Sequence, residues 1–319
     1  MDLDKIRGGF LGLALGDAIG APFEFQFSPP LSEYTEVIKL PITWKPRFGT
    51  KQYSVVGQVT DDTTMASALL WTIATNKDWV ENDVINAYID WANSGIKFLG
   101  RNTRALFKNI KTIKGYKARH TRFDLSNNQS NGSLMRAFPL VLLFYYLPQE
   151  KVFEKALNDT KLTNPSPINQ DCVLVYLNAL LYILNKVPPK DFLPQLHTMA
   201  QTKELKEVIY QAINGIDRNV TKNKGWILHS MYCAMLSILL APSNSFTEVM
   251  NWVILKGGDT DTNGAISGSL IGTYYGEKEL MKDPIAAQNI KIVLESDYSK
   301  GEFPLDGKYH PATALQILK

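Results

Sequence analysis

Two segments decide the fold of this 319-residue chain: GGFLGLALGDAIG (residues 8–20) and GAISGSLIGTYYG (residues 264–276). Each segment has a glycine at every fourth position, which places the glycines along one ridge of an α-helix. Glycine costs about 1 kcal/mol per site in a helix interior relative to alanine. A helix that accepts this cost repeatedly gains close approach to another backbone. We therefore predict two tightly packed helices near the centre of the molecule.

Helical periodicity also dominates the chain between these segments, and clusters of Pro, Gly and Asn mark the connections. We predict an all-α fold with one domain over residues 1–319. The predicted helices lie near residues 3–18, 62–76, 81–93, 102–112, 132–146, 150–158, 170–186, 203–214, 226–240, 246–256 and 262–274.

The segment 27–59 differs from the rest because it is rich in Pro and aromatic residues. Within it, Thr35–Leu40 and Tyr53–Val59 are candidate short strands. A loop this long inside a compact domain is more often functional than idle, so we expect a lid-like segment here.

Composition excludes several classes of protein. Hydrophobic residues make up 45% and charged residues 20%, and the net charge of +3 is too small to indicate specific nucleic-acid binding or a membrane partner. The two cysteines, Cys172 and Cys233, lie in apolar runs, which argues against disulfides and suits a reducing compartment. The acidic start and the lack of an apolar run of roughly 20 residues argue against a signal peptide or a membrane span. We expect a cytoplasmic monomer.

Acidic clusters lie beside both glycine segments and once between them. Asp17 and Glu24 accompany the first segment, GGDTDT (residues 257–262) precedes the second, and TDDT (residues 60–63) opens the helix predicted at 62–76. Taken alone, TDDT or GGDTDT could be a helix N-cap with acids in the first turn of the helix. Several like charges are costly together, however, unless a cation lies between them.

Hard divalent cations would supply that charge. Mg²⁺ and Mn²⁺ prefer carboxylate, hydroxyl and water oxygens, and two such ions held by carboxylates can activate a water. The chain has four histidines, and none pairs with another at the spacing of a zinc site, so zinc is not expected.

Four motifs, in this order, resemble the ADP-ribosylglycohydrolases, the family of the dinitrogenase reductase-activating glycohydrolase and the vertebrate ADP-ribosylhydrolases. They are GDAIGAPFE (16–24), TDDT (60–63), NGSLMR (131–136) and GGDTDT (257–262), and they lie within about residues 5–276. The resemblance implies a compact orthogonal helical bundle with a central binuclear metal site that holds two divalent cations, Mg²⁺ or Mn²⁺.

The resemblance also implies roles for individual residues. The implied metal ligands are Thr60, Asp61, Asp62, Asp259, Asp261 and Thr262. Glu24 would lie over the site on a movable loop, and the expected catalytic residues are Glu24, Asp61 and Asp261. The implied substrate contacts are Gly100, Asn131, Gly132, Ser133, Met135 and Asn164.

Two positions within these motifs need separate comment. Many members have a Thr-His pair where this chain has Thr163-Asn164, and asparagine keeps hydrogen-bonding capacity but loses a ring and a titratable group. Arg136 has two open interpretations, a substrate contact or a buried structural ion pair.

The implied activity is metal-dependent removal of ADP-ribose from an ADP-ribosylated protein or small molecule, with an arginine side chain as the expected acceptor. Ser-linked, polymeric or nucleobase-linked ADP-ribose are alternatives within the family. A silent ADP-ribose-binding protein of the same fold and a two-metal phosphohydrolase are alternatives of other classes.

Outside the motifs, the basic residues of segment 108–122 have two interpretations, a guide for a polyanionic substrate or a solvated helix face. Phe98, Tyr116 and Phe123 are candidates to stack on adenine, with core packing as the alternative for each.

Overall fold

The computed structural model describes residues 2–24, 40, 54–96, 98–301 and 305–319, and regular structure in these ranges is helical. The α-helices are α1 (Leu3–Gly20), α2 (Asp61–Asn76), α3 (Glu81–Asn93), α4 (Arg101–Phe107), α5 (Ile113–Arg122), α6 (Gln149–Lys161), α7 (Pro167–Leu184), α8 (Pro189–Met199), α9 (Lys203–Ile213), α10 (Ile227–Leu240), α11 (Phe246–Leu255), α12 (Thr260–Tyr275), α13 (Glu277–Leu280), α14 (Pro284–Glu295) and α15 (Pro311–Leu315). The predicted all-α class is confirmed.

The two glycine helices, α1 and α12, form the centre of the fold. They run antiparallel, because Gly8 lies against Gly272, Gly12 against Gly268, and Gly16 against Gly264. A Cβ atom added at any of these glycines would lie under 3.0 Å from the opposing backbone. Around this pair, α7, α10 and α11 pack on α12, while α2 and α14 pack on α1. The prediction of two closely packed central helices is confirmed.

Antiparallel packing fixes where the two ends of this pair meet. The N-terminus of α12 lies beside the C-terminus of α1, where the Thr260 hydroxyl donates to the Gly20 carbonyl at 2.7 Å. Because GGDTDT (257–262) leads into α12, this contact places the second acidic cluster next to the end of α1.

The predicted helix at 132–146 is wrong. The structure has a short 3-10 turn at Asn131–Ser133 and a second 3-10 segment at Phe138–Tyr145. Pro139 lies at the start of the second segment, and proline disfavours α-helical geometry in the residue before it. The side chain of Arg136, buried between the two segments, is directed to partners elsewhere in the fold.

Other helix boundaries shift for local reasons. The helix predicted at 102–112 ends at Phe107, because Asn109 adopts a left-handed conformation with φ 62° and donates its N–H to the Asn93 side chain. A separate helix, α5, follows, and α8, α13, α14 and α15 are further helices that the periodicity did not predict.

Of the predicted strand Thr35–Leu40 only Leu40 is described, whereas Tyr53–Val59 is described from Ser54 onward. Residues 27–39 and 41–53 of the lid-like segment lie outside the described residues. Leu40 and Ser54–Val59 are described, and neither belongs to a strand. Residues 55–58 instead form a turn that includes Gly57 at φ 75°.

One helix in the described ranges, α7, is long and apolar enough to cross a membrane. Of the 18 residues concerned, 67% are buried inside the protein. Core helices of soluble proteins meet the same criterion, so α7 by itself indicates no membrane span.

Candidate metal centre

The TDDT (60–63) and GGDTDT (257–262) clusters lie at helix N-termini that meet at the end of α1. Thr60 is the N-cap of α2 and Asp259 is the N-cap of α12. Ahead of α12, Gly257 and Gly258 have φ angles of 71° and 80°, a left-handed conformation that side-chain-bearing residues rarely adopt. These two glycines form the turn that leads into Asp259 at the start of α12.

Asp17 joins α1 to the start of α2. Its side chain is fully buried and accepts hydrogen bonds from the Thr60 N–H and the Thr63 N–H, each at 3.0 Å, and from the Thr63 hydroxyl at 2.6 Å. The sequence motifs assign no role to this acid. The available signal was its position one residue after a ladder glycine, which directs it away from α12. Asp17 therefore positions the TDDT cluster (60–63) at the start of α2.

We expect Asp17→Asn to weaken divalent-cation binding by about tenfold or more, because lost contacts of this kind around metal ligands cost 10–100-fold in affinity. The free energy of unfolding should fall by about 1–3 kcal/mol, since buried N–H groups of α2 lose a charged acceptor. Titration calorimetry with Mn²⁺ and urea unfolding measure the two effects.

Asp171→Asn is the matched control for this variant. Asp171 binds the N–H groups of Gln201 and Thr202 and the Thr202 hydroxyl in the same manner, at the start of α9. It should lose similar stability but keep its cation affinity. Equal loss of cation affinity in both variants would show that Asp17 only stabilises the fold.

The carboxylates of the candidate centre lie close together. Glu24, Asp259 and Asp261 each offer an oxygen, and these three oxygens lie within 4.8 Å of one another. Asp62 is buried, and its Oδ2 accepts a hydrogen bond from the Thr60 hydroxyl at 2.9 Å. Its Oδ1 is buried without a hydrogen-bond partner in the described part of the chain.

Burial and mutual repulsion raise the pKa values of these acids. Burial is the largest cause for each, and neighbouring carboxylates add to it for Asp61, Asp62 and Asp261. The pKa of Asp61 rises to about 7, those of Asp62 and Asp261 rise well above the ordinary value, and that of Asp259 also rises. Crowded buried carboxylates and an unpartnered carboxylate oxygen are the chemistry that fits a hard divalent cation.

These shifts predict a pH-dependent response to cations. A pKa raised above its unfolded value means that the folded, cation-free protein binds extra protons, so ionisation of these acids removes stability as pH rises from about 4 through about 7. Cation binding requires the ionised acids. Added Mn²⁺ should therefore raise the melting temperature more at about pH 7.8 than at about pH 5.5, with matched NaCl as control. Equal increases at both pH values in differential scanning fluorimetry would contradict this.

Two residues expected to contact substrate also contact the predicted ligands. The Gly100 N–H donates to Asp61 Oδ2 at 3.0 Å. The Asn131 amide donates to Asp259 Oδ2 at 2.7 Å and to the Ser230 hydroxyl at 3.2 Å. Both residues hold carboxylates in place, whatever further contact they make with a substrate.

The other expected substrate contacts are more deeply placed. Ser133 and Met135 are buried, and the Ser133 hydroxyl accepts from the Asn169 amide at 3.1 Å. Asn164 is also buried and donates to the carbonyl and the hydroxyl of Ser130. A Cβ at Gly132 would come within 3.6 Å of the Asn164 side chain. These residues shape the loop that carries Asn131.

Arg136 is structural. It is fully buried, pairs with Asp159 at 2.9 Å, and donates to the Gly132 carbonyl at 2.7 Å and the Thr163 hydroxyl at 2.9 Å. The guanidinium thereby ties the loop of Asn131 to α6 and to the segment after it. Among the candidate adenine contacts, Tyr116 is buried in the core and stacks on Phe107, whereas Phe123 is 45% exposed.

An open groove of about 440 Å³ borders the centre. It is lined by Gln129, Ser130, Asn223, Lys224, Gly225 and Trp226. Gly225 has φ 79°, and a Cβ there would lie 3.3 Å from Asp259 Oδ2. The groove therefore begins at a predicted metal ligand, and sequence analysis did not identify the part formed by residues 223–226.

Comparison with known proteins adds independent observations. A family model described as ADP-ribosylglycohydrolase matches residues 1–295. A protein of Acanthamoeba polyphaga mimivirus named as an ADP-ribosyl glycohydrolase is 28% identical over 296 residues, covering 85% of this chain and 87% of its own length. The Rhodospirillum rubrum ADP-ribosyl-dinitrogen reductase glycohydrolase is 22% identical over 292 residues and covers 92% of both chains.

The fold is likewise similar to a solved structure, that of an ADP-ribosylglycohydrolase-related protein complex. Its TM-score is 0.69 at 24% identity, over 91% of this chain and 97% of the other.

Proposed function

We propose that this chain, which belongs to the ADP-ribosylglycohydrolase family, removes ADP-ribose from an arginine side chain in a metal-dependent reaction. Membership of the family makes the protein a hydrolase of glycosidic bonds to ADP-ribose. The observation that carries the proposal is the meeting of Glu24, Asp259 and Asp261 at the end of α1.

In the proposed centre, Mg²⁺ or Mn²⁺ would be held by Thr60, Asp61, Asp62, Asp259, Asp261 and Thr262. When bound, two divalent cations supply positive charge that can orient ribose hydroxyls and lower the pKa of a water. The unpartnered Oδ1 of Asp62 and the raised pKa values of the acids support this assignment. The hydrogen bonds from Gly100 to Asp61 and from Asn131 to Asp259 would keep two of the carboxylates in fixed orientations.

Glu24 would act as the proton acceptor. Glycoside cleavage passes through an oxocarbenium-like transition state and requires a positioned water, which in other glycosidases a free carboxylate activates. Here the other acids are assigned to cations, and Glu24 is half-buried directly after the short 3-10 turn that follows α1. Its carboxylate would take a proton from the attacking water and return one to the leaving group.

The arginine acceptor rests on the motifs, which resemble the bacterial branch of the family. One relative is named for action on dinitrogen reductase, a protein substrate. Asn164, in place of the histidine common in the family, is buried against Ser130, so we expect this replacement to alter the loop of Asn131 more than the centre itself.

We expect the protein to release free ADP-ribose from an Arg-linked peptide faster than from Ser-linked, polymeric or nucleobase-linked substrates. Mass spectrometry of the products identifies the linkage and separates free ADP-ribose from AMP, which a phosphohydrolase would produce. Release from Ser-linked substrate alone would overturn the arginine assignment. Tight ADP-ribose binding with no release from any substrate would indicate a silent binding protein.

A further inference from the structure

The basic residues of the chain are strongly segregated. Residues 101–122 contain 8 Lys or Arg and no Asp or Glu, whereas the rest of the chain has 26 Lys or Arg against 31 Asp or Glu, a net charge of −5. The whole-chain charge of +3 therefore conceals one strongly positive segment in an otherwise negative protein.

Some of these cations hold the local structure together. Arg119 donates to the carbonyls of Ala105 and Lys108, and Lys108 donates to the Ala92 carbonyl at 3.0 Å. Their side chains are half-buried and bind α3, α4 and α5 to one another. Packing therefore accounts for these two residues.

The other six cations are exposed. We call five of them the basic surface: Arg101, Lys111, Lys114, Lys117 and Arg122. Lys117 pairs with Glu81 at 2.9 Å, and the other four make no ion pair within the described ranges. Lys114 and Lys117 lie three residues apart on α5, and like charges at that spacing destabilise a helix by about 0.2–0.5 kcal/mol. A face that only needs solvation would mix both signs, so this one is suited to an anionic partner.

The basic surface begins at the candidate metal centre. Gly100, whose N–H binds Asp61, is followed directly by Arg101 at the start of α4. Asn102 donates to Asn128 at 2.8 Å and to the Ser130 hydroxyl at 3.4 Å, and Ser130 lines the groove beside Asp259. A chain lying on the basic surface could therefore continue into the groove.

Aromatic rings accompany the cations along this path. Phe123 follows Arg122 directly and is 45% exposed, and Trp226, half-buried with the Arg218 guanidinium over its ring at 5.3 Å, lines the groove. An acidic polypeptide would need the cations alone. Single-stranded nucleic acids use cations for phosphates and aromatic faces for stacked bases, and binding by such surfaces is tolerant of sequence.

We propose that the basic surface binds the backbone of a single-stranded nucleic acid, without sequence preference, and presents an ADP-ribosyl group carried by that strand to the centre, as a second class of acceptor beside the arginine side chain. The inference rests on the proposed function for the cleavage step, but binding of the strand does not depend on it.

The binding test uses the full chain and a fluorescein-labelled single-stranded oligonucleotide of about 20 nucleotides, measured by anisotropy over a salt series. The triple variant Lys111→Glu, Lys114→Glu, Arg122→Glu should lose on the order of tenfold or more in affinity. The slope of its log affinity plotted against log salt concentration should be shallower by about 2, because three contacts to a single strand are lost. Phe123→Ala should weaken binding without changing the slope.

The matched control is Lys190→Glu, Lys203→Glu, Lys278→Glu, which changes the net charge equally at exposed sites on other helices. Equal losses in the two triple variants would overturn the proposal, because only net charge would then matter. Displacement of the oligonucleotide by polyglutamate as effectively as by unlabelled strand would also overturn it, in favour of an acidic protein.

Hydrolysis assays separate this inference from the proposed function. With an ADP-ribosylated oligonucleotide as substrate, the triple variant of the basic surface should have a higher KM than wild type. Its activity on a small ADP-ribosyl substrate should be unchanged. An unchanged KM for the oligonucleotide would overturn the role in presentation. Absence of hydrolysis of every substrate by wild type, with strand binding intact, would overturn the proposed function and the presentation step with it.

Discussion

Asp261→Ala is expected to reduce ADP-ribose release by more than about a hundredfold while the protein remains folded. Removing a residue that only binds a metal ligand lowers metal affinity or activity by about 10–100-fold, and we assign Asp261 as a ligand itself. Its carboxylate lies within 4.8 Å of oxygens from Glu24 and Asp259. Within the described ranges, the Asp261 carboxylate accepts a hydrogen bond from the N–H of its neighbour Thr262 at 2.8 Å, which is a local contact.

The fold should tolerate this change because the cation-free cluster is repulsive. Removing one buried carboxylate relieves the interactions that raise the pKa values of its neighbours, so the free energy of unfolding without cations should stay equal or increase. Asp90→Ala, at an exposed acid on α3, is the control for loss of a negative charge. Turnover and Mn²⁺ binding like those of wild type in the Asp261 variant would refute the two-cation assignment.

Gly12→Ala should destabilise the protein by at least about 2 kcal/mol, the range for an overpacked core with no room to adjust. Helix propensity alone predicts the opposite sign, a gain of about 1 kcal/mol. Packing dominates because the new Cβ would lie under 3.0 Å from the backbone of Gly268, and backbone atoms cannot rotate aside. The helices would have to separate along their length.

Gly307→Ala is the control, since a Cβ there meets no atom within 4 Å. Urea unfolding of both variants measures the difference in stability. Separation of α1 from α12 should also weaken Mn²⁺ binding, because α1 positions both acidic clusters. A Gly12 variant as stable as wild type would contradict the packing argument.

The sequence predicted the central helices well because the glycine pattern has one physical explanation. Repeated glycine in an apolar helix requires close backbone contact, and the structure has that contact. The helix predicted at 132–146 failed because its apolar periodicity continues across Pro139 and a buried guanidinium. Proline disfavours α-helical geometry in the residue before it, and Arg136 binds partners on α6 and after it.

Roles within the candidate centre were harder to predict than its composition. Asp17 and Glu24 both belong to the first motif, yet one is fully buried as a cap on α2 and the other faces Asp261. The difference depends on how α1 ends and on which helix lies opposite, and neither is visible in a list of acids. The partners of Gly100 and Asn131 likewise lie 39 and 128 residues away along the chain, beyond the reach of local patterns.

The pairing of α1 with α12 also constrains how the protein can be made. During translation, α1 leaves the ribosome before α12, its backbone partner, which follows more than 200 residues later. Until then a glycine-rich apolar helix has an uncovered ridge, and contacts between such distant segments form slowly. We expect nascent chains that end before α12 to be recognised by chaperones, and to acquire cation binding only when the second glycine helix emerges.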